Sequence, residues 1–259
     1  MFGSALVACS VIIYARLARR LFATGGKVGT EKIIPRDMGL VSTLTALLVL
    51  LGTLAFTEPE REIHITDIFN GSLHFVFLVA LIAGFLLYRR VNLAEFFGLR
   101  RVGFFKTIGL GIGLLLAAYP LILLLSAITQ KMLGQKAEPQ ELVKFFVGIA
   151  HAGNEPKIAL VLVFAVLFGP ACEELIFRGY IYAVFKRYLG MWPAIFVSAA
   201  LFAYIHANLA SLPALFVLAT CLALAYETTG SLAVPYVMHA TFNFLSLGAL
   251  LYATFLPAK

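Results

Sequence analysis

Charged residues are scarce in this 259-residue chain, at 13% of the total. A soluble domain carries about 25% charged and about 45–50% apolar residues, whereas hydrophobic residues make up 61% of this sequence. No soluble fold of this size can bury that excess, so the bilayer must be the solvent of the protein. The composition therefore excludes a soluble enzyme, a disordered chain and a secreted disulfide scaffold.

Cysteine and aspartate are nearly absent, and both absences narrow the chemistry. Cys9, Cys172 and Cys221 lie far apart in apolar runs and form no C-x-x-C pair, so the sequence predicts neither a disulfide nor a thiolate metal site. The only aspartates, Asp37 and Asp67, fall in loops or at helix ends. This excludes an aspartyl dyad, and the chain also lacks an H-E-x-x-H zinc motif and a G-x-S-x-G serine elbow.

Long apolar runs dominate the sequence instead. A membrane-spanning helix needs about 20 mostly apolar residues, and about eight runs approach that length. They are Phe2–Leu21, Met38–Phe56, Ile68–Tyr88, Thr107–Thr129, Ile158–Tyr188, Met191–Ile205, Leu209–Thr229 and Leu232–Phe255. The fifth run is too long for a simple span and contains Gly169-Pro170, which predicts a kink. The predicted fold class is all-α, a polytopic transmembrane helical bundle of about eight helices.

Arginine and lysine clusters follow the first, third and fifth predicted helices. If the spans alternate in direction, these clusters share one side of the membrane. Because basic loop residues are enriched on the cytoplasmic side, we expect that side to be cytoplasmic and the N-terminus to lie outside.

Ionisable residues inside a span are costly and are functional candidates by default. Most of those in this chain lie within its C-terminal half: Glu173, Glu174, Arg178, His206, Glu227 and His239.

Glu174 and Arg178 are four residues apart, so they share a helix face and can form a desolvated ion pair. Glu173 is rotated from Glu174 by about 100° and has no partner on its own helix. An unpaired carboxylate in an apolar site can accept a proton near neutral pH, which predicts a chemical role for Glu173. The alternative is that both glutamates hold helices together through Arg178.

Two histidines and an asparagine complete the set. His206 follows the sixth apolar run, and His239 and Asn243 lie four residues apart on one face of the eighth. An imidazole and a carboxamide side by side can donate hydrogen bonds to one oxygen, as an oxyanion site requires. A glutamate and a histidine can polarise a water molecule. Any one of these histidines alone is more simply explained as a hydrogen-bonded core residue, but the set as a whole predicts peptide-bond hydrolysis inside the membrane.

Three short motifs carry a family resemblance. They are E-E-x-x-x-R at Glu173, Glu174 and Arg178, F-x-x-x-H at Phe202 and His206, and H-x-x-x-N at His239 and Asn243. They resemble the motifs of the CAAX protease and bacteriocin-processing family, also called the ABI family, of glutamic-type intramembrane endopeptidases. The stretch Tyr226–Leu232 resembles the family's E-x-T-G-S-L-type sequence, with an extra threonine. The resemblance covers roughly residues Phe168–Leu247.

The resemblance implies a role for each motif residue. Glu173 would be the general base, and His206 would help to orient the water. His239 and Asn243 would form the oxyanion site, while Glu174 and Arg178 would hold the architecture. We therefore divide the chain into N-terminal transmembrane helices, residues 1–135, and a catalytic membrane domain of this family, residues 139–259.

We expect hydrolysis without a metal cofactor, because Asn243 is a poor zinc ligand and fits the oxyanion role better. The alternative is a zinc ion held by Glu173, His206 and His239, since three N or O ligands and a water form a catalytic zinc site. The expected partners are the lipid bilayer of a bacterial cell membrane and a membrane-associated protein or peptide substrate, with no nucleic acid.

Two other functions compete with the protease. A non-catalytic immunity or secretion accessory protein would keep the fold and tolerate loss of the motif residues, but all of them are intact. A proton-coupled transporter would also use buried carboxylates and histidines, but it would usually show inverted repeats, which this sequence lacks.

The depths of the two histidines pose a geometric problem. On ideal spans, His206 lies near the far end of its helix, whereas His239 lies about 10 Å into its own from the opposite side. If the two side chains meet, the sixth or seventh segment must be shortened, kinked or re-entrant.

Overall fold

The computed structural model describes residues 2–57 and 63–254, and within these ranges the chain forms helices and connecting loops without a β-strand. The helices are α1 Phe2–Thr24, α2 Pro35–Thr57, α3 Ile65–Tyr88, α4 Leu93–Phe96, α5 Phe104–Leu133, α6 Glu141–His151, α7 Glu155–Leu162, α8 Gly169–Glu173, α9 Tyr182–Leu189, α10 Met191–Tyr204, α11 Leu212–Thr229 and α12 Ala233–Thr254. The predicted all-α helical bundle is confirmed. The predicted end of the last span, Phe255, lies outside the described residues.

Six stretches of the described chain are long and apolar enough to cross a membrane, so the protein is an integral, multi-pass membrane protein. They are Pro35–Thr57, Ile65–Tyr88, Phe104–Lys136, Glu155–Leu189, Leu212–Thr229 and Ala233–Thr254. The first and sixth predicted spans are not among them. The first, α1, carries three arginines toward its C-terminal end. The sixth, α10, has 14 residues and is roughly 21 Å long, shorter than the hydrocarbon core of a bilayer.

The stretch Glu155–Leu189 is one long helix whose winding changes along its length. Residues Val163–Phe168 and Glu174–Ile181 are π-helical, and α7, α8 and α9 flank them. The Gly169 N–H donates to the Phe164 carbonyl, five residues earlier, which is the π-helical pattern. A kink is predicted at Gly169-Pro170, and the structure shows a π-helical segment that ends just before this pair. Such segments are rare and occur frequently at functional sites.

The core of the bundle is built around α11. In its most apolar stretch 61% of the residues are buried, compared with 11% for α3. α5 packs against α1, α11 and α12, and α10 packs against both α9 and α11. Because α11 is enclosed by other helices, the α9–α12 region forms a protein interior, whereas α2 and α3 turn most of their apolar side chains outward, where lipid solvates them.

One end of the bundle gathers the basic residues. Lys186 Nζ donates to the Val28 carbonyl at 2.8 Å, and Arg101 Nη1 donates to the Lys27 carbonyl at 2.7 Å. The loop between α1 and α2 thus contacts the end of α9 and the loop before α5. The basic clusters that follow the first, third and fifth predicted helices share one end, as their spacing predicts. That this end is cytoplasmic remains a prediction.

Candidate active site

Glu174 is the central anchor of the site. Its Oε1 accepts a hydrogen bond from Arg178 Nη1 at 3.0 Å and lies 2.9 Å from His239 Nδ1. All three residues are buried. The predicted ion pair between Glu174 and Arg178 is present, and the same carboxylate also fixes the orientation of the His239 ring. Glu174 therefore joins the long helix to α12.

Glu173 points in a different direction, as its position on the helix predicts. Its side chain is 16% exposed, against 1% for that of Glu174. Its Oε2 lies 3.8 Å from His239 Nε2, too far for a direct hydrogen bond, and in the described parts of the chain no other ion-pair partner approaches it. Glu173 is thus the site carboxylate with free hydrogen-bonding capacity and access from outside the protein interior.

His206 is oriented by the end of α10, the helix that precedes it. Its Nδ1 lies 2.7 Å from the Phe202 carbonyl oxygen. Because a carbonyl can only accept, Nδ1 carries the proton, and Nε2 of the neutral ring is an acceptor. The Phe202 ring centroid lies 4.7 Å from that of His206 and 5.7 Å from that of His239. Both imidazoles therefore contact the same phenyl ring, and the two motifs converge.

The short α10 resolves the problem of depth. The helix ends at Tyr204, and residues 205–211 form turns before α11 begins at Leu212. His206 therefore follows a helix of 14 residues rather than a full span. The shortening that the sequence requires for convergence is confirmed.

Asn243 lies one helical turn beyond His239, but its amide is already engaged. Nδ2 donates to the Ala165 carbonyl at 2.7 Å. In the π-helical pattern that carbonyl would accept from residue 170, but Pro170 has no N–H. Asn243 therefore supplies the hydrogen bond that the proline cannot make. The sequence predicts both residues as free donors, yet Asn243 already uses one of the two N–H groups of Nδ2 and His239 one of its two ring nitrogens. Only the second Asn243 N–H and His239 Nε2 remain for a substrate oxygen.

A zinc ion held by Glu173, His206 and His239 is the alternative to hydrolysis without a metal. Across residues 2–57 and 63–254 no three or more His, Cys, Asp or Glu side chains form a group that could hold a metal ion. His239 Nδ1 faces Glu174 and His206 Nδ1 faces the Phe202 carbonyl, which leaves Nε2 of both rings open. As arranged, Glu173, His206 and His239 do not come close enough together to form a zinc site. The absence of a cofactor remains a prediction.

A buried ion cluster at Asp37 was missed by the sequence analysis, which placed this residue in a loop or at a helix end. Asp37 lies in the first turn of α2 and is fully buried. It accepts two hydrogen bonds from Arg89 Nη1, at 2.6 and 2.7 Å, and one from the Tyr180 hydroxyl at 2.8 Å. The cluster ties α2 and the end of α3 to the π-helical segment of the long helix. An arginine among apolar residues at the end of α3 was the available signal.

A second cluster surrounds Glu227 in α11, which the sequence does single out. Its carboxylate accepts from Lys186 Nζ at 2.6 Å, from the Tyr182 hydroxyl, and from the Val28 N–H at 3.2 Å. A Cβ at Gly26 would overlap this carboxylate, so the loop can approach only because residue 26 is glycine. Lys186 is therefore a partner of a buried acid rather than a simple loop charge.

One comparison with known proteins gives a match. A family model described as type II CAAX prenyl endopeptidase Rce1-like matches residues 155–245. Comparison with curated proteins and with solved structures gives no match. The matched segment contains all seven motif residues named above, and it overlaps most of the predicted segment Phe168–Leu247. Residues 155–245 of this chain thus match the Rce1-like family of type II CAAX prenyl endopeptidases, as the three motifs predict.

Proposed function

We propose that this protein is an intramembrane endopeptidase that hydrolyses a peptide bond of a membrane-associated protein or peptide. Glu173 acts as the general base, and His206 orients the attacking water. His239 and Asn243 stabilise the oxyanion, and Glu174 and Arg178 hold these groups in place. No metal ion takes part.

The contrast between the two adjacent glutamates carries this proposal. Glu174 is buried and already holds Arg178 and His239. Glu173 has no direct hydrogen-bond partner and retains partial exposure next to His239 Nε2. A general base needs a free carboxylate within reach of a water molecule, and a nearby group that orients this water. Glu173 meets the first requirement, and the free Nε2 of His206 meets the second.

The steps of the reaction follow from these positions. Glu173 takes a proton from the water as the water oxygen attacks the peptide carbonyl carbon. The second water proton is hydrogen-bonded to His206 Nε2, which sets the direction of attack. The protonated Glu173 then gives its proton to the leaving nitrogen as the C–N bond breaks. One water is consumed, a carboxylic acid and an amine are formed, and Glu173 returns to its ionised form.

The oxyanion formed in the first step needs hydrogen-bond donors. The second N–H of Asn243 is one, because the first is used by the Ala165 carbonyl. His239 donates from Nε2 only when both of its ring nitrogens carry protons, since Nδ1 faces Glu174. A donor aimed at the developing charge contributes roughly 2.7–4 kcal/mol to transition-state binding.

The substrate class follows from the family description alone. Since the matching family is described as a prenyl endopeptidase acting on CAAX sequences, a prenylated peptide is the first probe to use. A bacteriocin leader or a sorting-tail protein is the alternative for a chain of a bacterial cell membrane.

The test uses the purified full chain in proteoliposomes. The probes are an internally quenched farnesylated CAAX peptide, its non-prenylated form, and membranes whose new protein termini are identified by mass spectrometry. We expect cleavage by the wild-type chain and none by Glu173→Gln, with one ¹⁸O atom from labelled water in the new carboxyl group. If neither the peptides nor any membrane protein is cut, the accessory-protein alternative replaces the protease. Proton flux without cleavage would instead favour the transporter.

A further inference from the structure

The turn that carries His206 is held in place by one neighbouring side chain, that of Asn208. Asn208 Oδ1 accepts hydrogen bonds from the Ser211 N–H and from the Ser211 hydroxyl, both at 2.9 Å. Its Nδ2 donates to the Glu138 carbonyl at 3.0 Å. The Asn208 amide thus makes three hydrogen bonds. Two of them lie within the turn, and the third reaches a distant part of the chain.

The distant part is the connection between α5 and α6. Besides the bond to the Glu138 carbonyl, Gln140 Nε2 donates to Ser211 Oγ at 2.9 Å. We call these two contacts, Asn208 to Glu138 and Gln140 to Ser211, the latch. Glu138 and Gln140 precede the segment that matches the family, residues 155–245. The latch therefore attaches the His206 turn to a part of the chain that the family motifs do not include.

The backbone at this turn requires such support. Ala207, between His206 and Asn208, has a φ of 46°, in the left-handed region that residues with a Cβ rarely adopt. A strained conformation persists only where its surroundings determine it. On the N-terminal side, His206 is fixed by its contacts with Phe202. On the C-terminal side, the first side-chain anchor after the strained residue is Asn208.

We infer that Asn208 is a positioning residue, which holds His206 through the latch so that Nε2 faces the attacking water. This inference rests on the proposed function, because it assigns a role to His206 in the reaction. A displacement of about 1 Å at a group that orients a reactant can lower the rate by about 10²-fold. Asn208 therefore affects turnover without touching the substrate.

The kinetic test uses Asn208→Ala in the full chain, with the farnesylated quenched peptide as probe. We expect kcat to fall by about 10- to 10²-fold and KM to stay the same. In a His206→Ala background the same change should cause no additional loss. Asn92→Ala is the matched control, because Asn92 accepts from Glu95 N–H, three residues on, in the same way but in the loop before α4. This control should keep wild-type kcat. An equal loss of kcat in the His206→Ala background would overturn the inference.

A conservative variant separates the latch from the local cap. Asn208→Asp keeps an oxygen that accepts from the Ser211 N–H but loses the donor to the Glu138 carbonyl. If the latch positions His206, this variant stays slow, and Gln140→Ala shows a smaller loss of kcat in the same direction. Full recovery of kcat in Asn208→Asp would overturn the latch, because the cap alone would then suffice.

A measurement independent of activity distinguishes this inference from the proposed function. Hydrogen exchange of peptides covering residues 202–212 should be faster in Asn208→Ala than in the wild type and the Asn92→Ala control. If the wild type cleaves the probe and Asn208→Ala has both wild-type exchange and wild-type kcat, the inference fails while the protease stands. If the wild type cleaves nothing, the proposed function fails, and with it the positioning role.

Discussion

Glu174 and Glu227 are both fully buried carboxylates paired with a cation on the same long helix, yet their surroundings differ. Both oxygens of Glu227 have partners, which are Lys186 and Tyr182 for one and the Val28 N–H for the other. Glu174 uses only Oε1, and its Oε2 and Arg178 Nη2 are buried without a hydrogen-bond partner among the described residues. The Glu227 cluster is complete within the protein, whereas the Glu174 cluster keeps a donor and an acceptor unused.

Asp37 follows the Glu227 pattern, with two hydrogen bonds from Arg89 Nη1 and one each from Tyr180 and the Ile34 N–H. An ionisable residue inside a membrane protein is a functional candidate by default. In this molecule a direct cation partner separates two kinds of carboxylate. Asp37, Glu174 and Glu227 each bind a cation and join helices. Glu173 has no direct hydrogen-bond partner and lies next to His239.

The largest effect expected from this comparison is on turnover in Glu173→Gln. Removing a general base lowers the rate by about 10²–10⁴-fold, and the amide is similar in size and has no ion pair to break. We expect cleavage to be lost while the detergent-extracted protein keeps its Tm. Glu95→Gln, an exposed position on α4, is the control and should change neither quantity. A Glu173→Gln protein that aggregates would show that this residue holds the fold.

The next effect is on folding in Glu174→Gln. The substitution leaves Arg178 as a buried charge without its counter-ion, a change that costs roughly 3–5 kcal/mol of stability. We expect a lower yield of folded protein and a lower Tm, measured by thermal unfolding in detergent. Equal stability of the Glu173→Gln and Glu174→Gln proteins would contradict the division of roles between the two glutamates.

Asn243 should have a smaller effect, confined mainly to turnover. Asn243→Ala removes one oxyanion donor, which lowers kcat by about 10²–10³-fold with little change in KM. It also leaves the Ala165 carbonyl without its donor, so a slightly lower Tm should accompany the loss. Asn243→Asp should be as slow or slower, because a carboxylate would face both the oxyanion and that carbonyl. Near-normal turnover in Asn243→Asp would reduce the residue to a helix-joining role.

The smallest expected effect is that of metal removal. Dialysis of the purified protein against a strong chelator should leave cleavage of the farnesylated peptide largely intact, and elemental analysis should find no stoichiometric zinc. Loss of activity that added zinc restores would contradict this prediction. Glu173, His206 and His239 would then be metal ligands, with Nε2 as the binding atom of each histidine.

The sequence was sufficient to predict the all-α membrane fold, because the length and composition of apolar runs decide which segments need lipid. It also predicted the Glu174–Arg178 pair, since a spacing of four determines a shared helix face. The partners of Asp37, Glu227 and Asn243 were not predictable, because each bond joins residues far apart in the chain. The role of Pro170 in freeing the Ala165 carbonyl depends on the π-helical winding, which the spacing of apolar residues does not reveal.

The central claim is that buried carboxylates that bind a cation directly hold the architecture, whereas Glu173, which has no direct partner, does the chemistry. The most direct measurement compares Glu173→Gln with Glu227→Gln in the same proteoliposomes, recording kcat and Tm for each. The account predicts lost turnover at an unchanged Tm for Glu173→Gln, and a lowered Tm with wild-type kcat per folded molecule for Glu227→Gln. A folded Glu227→Gln protein without activity, or a Glu173→Gln protein with normal kcat, would contradict it.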